Sequence, residues 1–374
     1  MVQGLRESGS AVHVSGAGPA GLAAAISIAR AGGCAVVHER RADVGLRFHG
    51  DLQGLENWTT PGNVLEELGA LGLSGFDARP CHEVVCFGPG GFEYRARSEE
   101  PIFYLVRRGP AADTLDQALK RRALEHGAEL RFGDTVRALP QGGIVAHGPH
   151  RADAVAVGYV FDTDMVDGAY GALSTDLAPG GYAYCLVSAG RGTVATCMFS
   201  DFRSSADRLA ATVDFFERRA GLRMRAPIRF GGFGNFLAPL RPVHRGVCFA
   251  GETAGFQDAL WGFGIRYALL SGHLAGHAWV SGDPASYDAL WRRRLGGILR
   301  RGIVNRRVFG MFGDRGLRAL LHWLVLARSP RRWLHDLYAP TLWSDLAYPW
   351  AGRRFRPSDA VRRADAAEPE AAAP

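Results

Sequence analysis

The sequence has 374 residues, enough to bury a large core in roughly two structural units. Hydrophobic residues make up 47% and charged residues 22%, as in ordinary globular enzymes, and no apolar run approaches the roughly 20 residues that a membrane-spanning helix requires. The formal charge of +7 comes from arginine, because Lys120 is the single lysine, and a preference for arginine does not by itself indicate nucleic-acid binding.

The six cysteines are scattered, and none of their spacings is typical of a zinc site. We therefore expect reduced thiols in a cytosolic protein. No apolar stretch precedes the first predicted strand, so we expect no cleaved signal peptide.

The first sixty residues have the order of a dinucleotide-binding unit. A β-rich run leads into a G-x-G-x-x-G segment at Gly16, Gly18 and Gly21, a helix of small residues follows, and a second strand ends at Glu39. Gly16 permits the tight turn, Gly18 lets the backbone approach a pyrophosphate, and Gly21 lets helix and strand pack closely. We expect Glu39 to accept hydrogen bonds from an adenosine ribose. The alternative is a glycine-rich turn without a ligand.

A glycine-punctuated loop, residues 47–54, follows this unit. His49 and Asp51 are candidates for proton transfer, because histidine titrates near neutrality and a nearby carboxylate would orient it. The alternative is a turn in which Asp51 caps a following helix.

Two aromatic residues belong to a predicted hairpin in the middle of the chain. A β-rich run, residues 180–187, precedes a second one after Gly190. In alternating strand geometry Tyr182 and Tyr184 point to one face. They could line a substrate cavity or form an aromatic pair on an ordinary sheet face. We interpret residues 231–234, which are rich in glycine, as a sheet turn.

A second glycine-rich motif follows a predicted strand at residues 247–250. It contains Gly251-Glu252, then Trp261, Gly262, Gly264 and Ile265, and leads into a long helix. This stretch resembles the late flavin motif of the geranylgeranyl reductase family, in the wider p-hydroxybenzoate-hydroxylase-like group. The resemblance extends over nearly the whole chain to about residue 300. It departs from the family at Glu252 and Ala259, where the family has aspartate and proline.

The resemblance implies FAD as the cofactor. Glu252 would bond the ribityl hydroxyls, and the backbone N–H groups near Gly262 and Gly264 would face the flavin ring at a helix start, where the helix dipole stabilises negative charge. Arg108, before a helix that starts near Thr114, would contact the cofactor. The cofactor-binding residues predicted in this way are Gly16, Gly18, Pro19, Ala20, Gly21, Glu39, Arg40, Arg108, Gly251, Glu252, Gly262, Gly264 and Ile265.

The same resemblance bears on substrate and reductant. It places Tyr182 and Tyr184 in a hairpin beneath the flavin, with Trp261 as a wall and the His49 loop at the flavin edge. His147 stands where flavin hydroxylases have the aspartate that helps to recruit the nicotinamide cofactor, which counts against direct use of NADPH. His147 is either a catalytic group or a strand-end histidine that meets solvent. The reductant could be NADPH or a small electron carrier.

The carboxyl-terminal region is rich in arginine and tryptophan at helical spacing. It could lie on an anionic membrane surface or form a helical lid over the cavity; nucleic acid is a poorer interpretation, because no recognised binding module is present. Residues 361–374 are rich in Ala, Glu and Pro, and we expect them to be disordered.

We therefore predict an α/β fold in three parts. Residues 1–80, 100–160 and 240–282 form a Rossmann-like FAD-binding domain, residues 81–99 and 161–239 an antiparallel substrate-facing sheet, and residues 283–360 a helical region. The expected function is FAD-dependent reduction of carbon–carbon double bonds in a lipid- or isoprenoid-like substrate. The alternatives are a flavin monooxygenase or dehydrogenase acting on a polyketide or aromatic compound, and a prenyl-binding carrier that has lost flavin. A halogenase is not favoured, because its Trp-x-Trp-x-Ile-Pro segment is missing.

Overall fold

The computed structural model describes residues 11–136, 138–236 and 242–352. The strands are β1 (Val12–Ser15), β2 (Ala35–Glu39), β3 (Leu52–Glu56), β4 (Arg79–Cys81), β5 (Glu83–Phe87), β6 (Glu93–Arg97), β7 (Phe103–Arg107), β8 (Glu129–Phe132), β9 (Gly143–Val145), β10 (Ala154–Asp162), β11 (Gly168–Ala172), β12 (Tyr182–Ser188), β13 (Arg191–Met198), β14 (Arg225–Gly234), β15 (Val243–His244) and β16 (Val247–Phe249). The helices are α1 (Pro19–Arg30), α2 (Val64–Ala70), α3 (Leu115–Glu125), α4 (Ser205–Ala220), α5 (Ile265–Val280), α6 (Tyr287–Trp291), α7 (Gly297–Leu326), α8 (Pro330–Tyr338) and α9 (Leu342–Gly352).

A six-stranded sheet in the order β15-β16-β9-β1-β2-β8 carries the predicted dinucleotide-binding unit. Its strand pairs are parallel except for β15 with β16. The turn from β1 into α1 needs glycine at two positions. Gly16 has a φ of 106°, and a Cβ on Gly21 would lie 1.8 Å from the Gly16 carbonyl oxygen. The predicted strand–turn–helix–strand order is confirmed.

Helix α5, which follows the late glycine motif, packs against α1. A Cβ on Gly272 would lie 2.0 Å from the Ala20 carbonyl oxygen, and one on Gly276 would lie 2.6 Å from that of Ala24. Small residues on both helices therefore permit a close approach, which brings the first and the late glycine motifs together although they are far apart in the chain.

A seven-stranded sheet in the order β14-β10-β13-β12-β11-β5-β6 forms the second layer, and a three-stranded sheet, β3-β7-β4, lies beside it. The predicted hairpin is β12 paired antiparallel with β13. The interpretation of residues 231–234 as a turn is wrong, because these residues complete β14 and pair with β10, Val157 opposite Gly231 and Ala154 opposite Gly234. Strand pairing supplies their backbone hydrogen bonds in spite of the glycines.

The carboxyl-terminal region is helical, as predicted. A π-helical turn, Arg292–Gly296, joins α6 to α7, and α7 bends at Gly313, whose φ is 50° and ψ −138°. Helices α8 and α9 pack against α7. Among the described helices, none is both long enough and apolar enough to cross a membrane. Residues 361–374, predicted to be disordered, lie outside the described part of the chain. The observed architecture confirms the predicted α/β class.

Candidate functional site

A cavity of about 800 Å³ lies where the two larger sheets and the carboxyl-terminal helices meet. Both glycine motifs contribute to its wall, together with strands of the seven-stranded sheet and residues of α7 and α8. It therefore joins the predicted cofactor-binding residues to the predicted substrate-facing hairpin.

The charges around this cavity are segregated. Every lining residue from the seven-stranded sheet, from α7 and from α8 is uncharged. The lining residues with acidic, basic or imidazole side chains come from the other strands, helices and loops; they are His38, Glu39, Arg40, Arg41, Asp43, Arg47, Asp51, Arg108, Asp116, Asp134, His147, His150 and Glu252. The cavity thus has a charged half and an apolar half.

The glycine loop at the charged half has the geometry of an anion site. Gly18 is the N-cap of α1 without a side chain to satisfy the helix N–H groups, Pro19 follows it, and a Cβ on Gly18 would have no atom within 4 Å. The Glu39 carboxylate accepts hydrogen bonds from the backbone N–H of Ala17 at 2.9 Å and of Arg41 at 3.0 Å. Glu39 therefore fixes the loop, and its oxygens retain further acceptor capacity.

Arg108 is buried and fixed in place at the cavity wall. Its guanidinium binds both oxygens of Asp116, at 2.9 and 2.8 Å, and donates to the side-chain oxygen of Gln53 at 3.3 Å. Its Cζ lies 4.1 Å from the centre of the Phe48 ring. The neighbouring Arg107 points instead to Asp113 outside this cavity. Arg108 therefore lines the cavity, whereas Arg107 does not.

Glu252 has a partner that sequence reasoning missed. Its Oε2 accepts a hydrogen bond from Arg47 at 3.1 Å, and Arg47 also donates to the carbonyl oxygen of Phe233. Burial raises the pKa of Glu252, while the positive charge of Arg47 opposes that rise. The pair could not be found from the sequence, because its members are 205 positions apart and Arg47 lies in an irregular loop.

The late glycine motif is held by Asp258, a second residue that sequence reasoning missed. The Asp258 carboxylate accepts hydrogen bonds from the backbone N–H of Leu260 at 3.2 Å and of Trp261 at 2.6 Å, and from the hydroxyl of Tyr338 at 2.9 Å. Burial raises the pKa of Asp258. The sequence signal that could have identified Asp258 is its position two residues before a backbone turn, where an aspartate side chain accepts hydrogen bonds from backbone N–H groups.

Beyond this turn, Gly264 is the N-cap of α5, again without a capping side chain, and Ile265 begins the helix. Gly251 and Gly262 have φ values of 63° and 77°, which favour glycine. Gly251, Glu252, Gly262, Gly264 and Ile265 all line the cavity, as do Gly16, Gly18, Pro19, Ala20, Glu39 and Arg40. Gly21 packs behind the loop.

Tyr182, Tyr184 and Trp261 lie together in the apolar half of the cavity. The rings of Tyr182 and Tyr184 are 5.9 Å apart, and Tyr182 is also 5.9 Å from Trp261. The Tyr182 hydroxyl donates to the Trp261 carbonyl oxygen at 2.7 Å. The Tyr184 hydroxyl has no hydrogen-bond partner among the described residues. Burial raises the pKa of Tyr184, which therefore stays protonated.

The structure separates the two candidates of the 47–54 loop. Asp51 lines the cavity and accepts hydrogen bonds from the His49 backbone N–H at 3.1 Å and from the Gln53 side chain at 2.7 Å. The His49 side chain is exposed and is not among the lining residues. The capping alternative for Asp51 is wrong, because strand β3 follows it rather than a helix.

His147 follows the end of β9 at the rim of the cavity, and its Nε2 lies 2.6 Å from the Ser15 hydroxyl. Partial desolvation lowers the pKa of His147, with smaller contributions from His150 and Arg40. We therefore expect a neutral ring at pH 7. Lys120, the single lysine, lies on α3 and does not line the cavity. Its Nζ forms a salt bridge with Oδ1 of Asp43 at 2.7 Å.

Comparisons with known proteins give the fold and no family. No protein-family model and no curated protein sequence matches this chain. Among solved structures, the chain is similar to a geranylgeranyl bacteriochlorophyll reductase-like protein from Thermoplasma acidophilum, with a TM-score of 0.69 and 17% identity over 96% of this chain and 99% of the other. It is similar to the flavin-dependent brominase Bmp2, with a TM-score of 0.64 and 16% identity over 96% of this chain and 100% of the other. It is also similar to 2-methyl-3-hydroxypyridine-5-carboxylic acid oxygenase, with a TM-score of 0.54 and 16% identity over 87% of this chain and 95% of the other. The chain thus has the fold found in these enzymes.

Proposed function

We propose that this protein is an FAD-dependent oxidoreductase that reduces a carbon–carbon double bond in an apolar, lipid- or isoprenoid-like substrate. The observation that carries the proposal is the segregated cavity, which joins a charged half around the glycine loop to an apolar half walled by the hairpin and the carboxyl-terminal helices. A dinucleotide suits the first half, and a hydrocarbon suits the second.

The residues of the charged half fit the ADP part of FAD. Open space in front of Gly18 and the uncapped start of α1 suit a pyrophosphate. Glu39 offers acceptor oxygens at the end of β2, where a ribose is held in this fold. The uncapped start of α5 at Gly264 is a second source of backbone N–H groups, next to the apolar half.

When bound, FAD would supply a hydride to the substrate. The chain itself must then bind the substrate, keep water away and provide a proton. Aromatic and aliphatic side chains of the apolar half bind the substrate and keep water away. Each buried methylene of the substrate contributes about 0.8 kcal/mol to the free energy of binding. The Tyr184 hydroxyl is the group we propose for the third role, because it lines the cavity and has no internal hydrogen-bond partner among the described residues.

The absorption spectrum of the purified protein tests the cofactor. We expect a yellow protein that releases FAD on denaturation. Gly18→Val should abolish FAD binding, because a side chain would fill the space that the pyrophosphate needs. Gly69→Val is the matched control: Gly69 is exposed on α2, a Cβ added there would have no atom within 4 Å, and this variant should keep its flavin. A colourless wild type that does not bind added FAD would contradict the proposal and favour a carrier.

A monooxygenase acting on a flat aromatic molecule is the second candidate. The observation in its favour is the cluster of Tyr182, Tyr184 and Trp261, which could stack on such a ring. Mass analysis of products separates the two: reduction adds two hydrogens to the substrate, whereas monooxygenation adds one oxygen atom and depends on dioxygen.

A further inference from the structure

The second half of α7, after the bend at Gly313, is apolar where it faces the cavity and also exposes large apolar side chains on its outer side. Leu320, Leu321 and Leu324 line the cavity. On the other side Trp323 and Leu326 are 60% and 62% exposed. The thickness of one helix therefore separates the apolar half of the cavity from the exposed apolar side chains on the outside.

We call Trp323, Val325 and Leu326 the outer lid face. A helix that packs on one side of a protein normally has polar residues on its other side. Here Trp323 and Leu326 are exposed beside the polar Arg315 and His322, and no described residue covers them. We take these neighbouring exposed side chains as a candidate interaction surface.

The charges around the outer lid face indicate an anionic partner. Residues 291–335 contain twelve arginines and one acidic residue, Asp314. Four of the arginines form salt bridges with carboxylates outside this range; they are Arg292, Arg294, Arg300 and Arg331. Arg315, Arg318, Arg328 and Arg332 are exposed and form no salt bridge within the described part of the chain. A second copy of the same face would bring these like charges together across a twofold axis, which opposes a dimer.

Helix α9 repeats the combination of exposed apolar side chains and arginine. Leu342 and Leu346, one turn apart, are among its most exposed residues. Arg301 and Arg307 of α7 place their guanidinium carbons 5.7 Å and 4.9 Å from the ring centres of Trp343 and Trp350. Tryptophan together with arginine is typical of segments that lie in the interface of a lipid bilayer.

We propose that the outer lid face docks on the surface of an anionic lipid bilayer. Docking would place the wall formed by Leu324 next to the lipid, so that an apolar substrate could pass between bilayer and cavity without crossing water. The choice of substrate rests on the proposed function, whereas the docking surface rests on the exposed side chains and the arginines.

Vesicle sedimentation with the purified full chain tests this proposal. We expect vesicles of phosphatidylcholine with about 30% phosphatidylglycerol to bind at least about tenfold more tightly than phosphatidylcholine alone, because each arginine near the surface adds about 1 kcal/mol. The double variant Trp323→Glu/Leu326→Glu should weaken binding to the anionic vesicles by about tenfold or more. The matched control is Val166→Glu, which places a carboxylate at an 84% exposed valine between β10 and β11 and should bind like the wild type.

Two results would overturn the proposal. One is equal binding of the wild type and the double variant to anionic vesicles, or no binding by either. The other is a wild-type dimer in light scattering that the double variant converts to a monomer, which would assign the outer lid face to a second copy. Flavin content is measured in the same samples. A colourless protein that still binds anionic vesicles would contradict the proposal of FAD as cofactor and would still support the proposed docking surface.

Discussion

Tyr184 is the residue whose chemistry the structure defines most sharply. Its neighbour Tyr182 uses its hydroxyl to bind the Trp261 carbonyl, so that group holds the wall of the cavity. Tyr184 has no such bond among the described residues, and burial raises its pKa, with smaller contributions from Cys197 and Asp51. Such a hydroxyl can donate a hydrogen bond to a substrate, and we propose that it gives up its proton only to the strongly basic carbon that accepts a hydride at the neighbouring position.

We expect Tyr184→Phe to lower kcat by about 10²-fold or more, because loss of a general acid typically has an effect of that size. Flavin content should not change, since the substitution keeps the ring and lies outside both glycine motifs. Single-turnover kinetics and the flavin spectrum measure the two quantities separately.

His49→Ala is the comparison for this variant. The sequence made His49 a candidate for proton transfer, but its exposed ring lies outside the cavity lining, so we expect nearly wild-type turnover. A large loss with His49→Ala and none with Tyr184→Phe would reverse this assignment.

Residues that follow from local rules could be predicted from the sequence, and residues that depend on distant partners could not. Gly16, Gly18 and Glu39 belong to one continuous strand–turn–helix–strand pattern, so their placement follows from neighbours in the chain. Arg47 reaches Glu252 only after the two glycine motifs have come together, and no periodicity records that contact.

At the scale of elements, α7 and α8 hold the turn at residues 258–263. Tyr338 of α8 binds Asp258, which in turn binds two backbone N–H groups of the turn. Arg306 of α7 donates to the carbonyl oxygen of Leu260 at 3.2 Å. The carboxyl-terminal helices therefore position the late glycine motif as well as closing the apolar half of the cavity.

Tyr338→Phe removes a donor from the buried Asp258 carboxylate. We expect the free energy of unfolding to fall by about 1–3 kcal/mol, the cost of leaving a buried acceptor without its partner. Flavin should also dissociate faster, because the turn beside the start of α5 loses a support. Urea denaturation measures the free energy of unfolding, and the fluorescence of the released flavin measures its rate of dissociation.

Tyr348→Phe is the matched control for Tyr338→Phe, since Tyr348 lies on α9 and its hydroxyl forms no hydrogen bond within the described chain. It should change neither stability nor flavin release. Equal flavin release in Tyr338→Phe and the wild type would show that α8 supports only the fold.

The elements themselves were predictable where pattern and pairing agree. The hairpin β12–β13 has alternating aromatic residues and a glycine turn, and it forms as predicted. The prediction for residues 231–234 was wrong because their glycines suggest a turn, whereas the long strand β10 supplies a pairing partner for each of them. Tertiary pairing, which a local pattern cannot show, decided that segment.

At the scale of the whole molecule, chain regions far apart in sequence build one cavity. The sequence singled out the glycine motifs and the tyrosine hairpin, and the structure brings both to the wall of this cavity. It left the role of the carboxyl-terminal helices open between a lid and a membrane contact. The structure places Leu320, Leu324 and Trp333 in the cavity wall, as a lid requires, while the same helices keep an apolar outer surface.

The source of electrons is a property of the whole molecule, because a second dinucleotide would need a site of its own. The sequence has one strand–G-x-G-x-x-G–helix unit, at Gly16, and we propose that FAD occupies it. The resemblance to flavin hydroxylases implies that His147 replaces an aspartate, and partial desolvation lowers the pKa of its ring. We therefore expect NADPH alone to reduce the flavin slowly, and without saturation at increasing concentration. Anaerobic stopped-flow absorbance at the flavin band measures this rate, with dithionite as the control that the flavin is reducible. Rapid, saturable bleaching by NADPH alone would contradict this prediction and would point to a nicotinamide site next to the flavin.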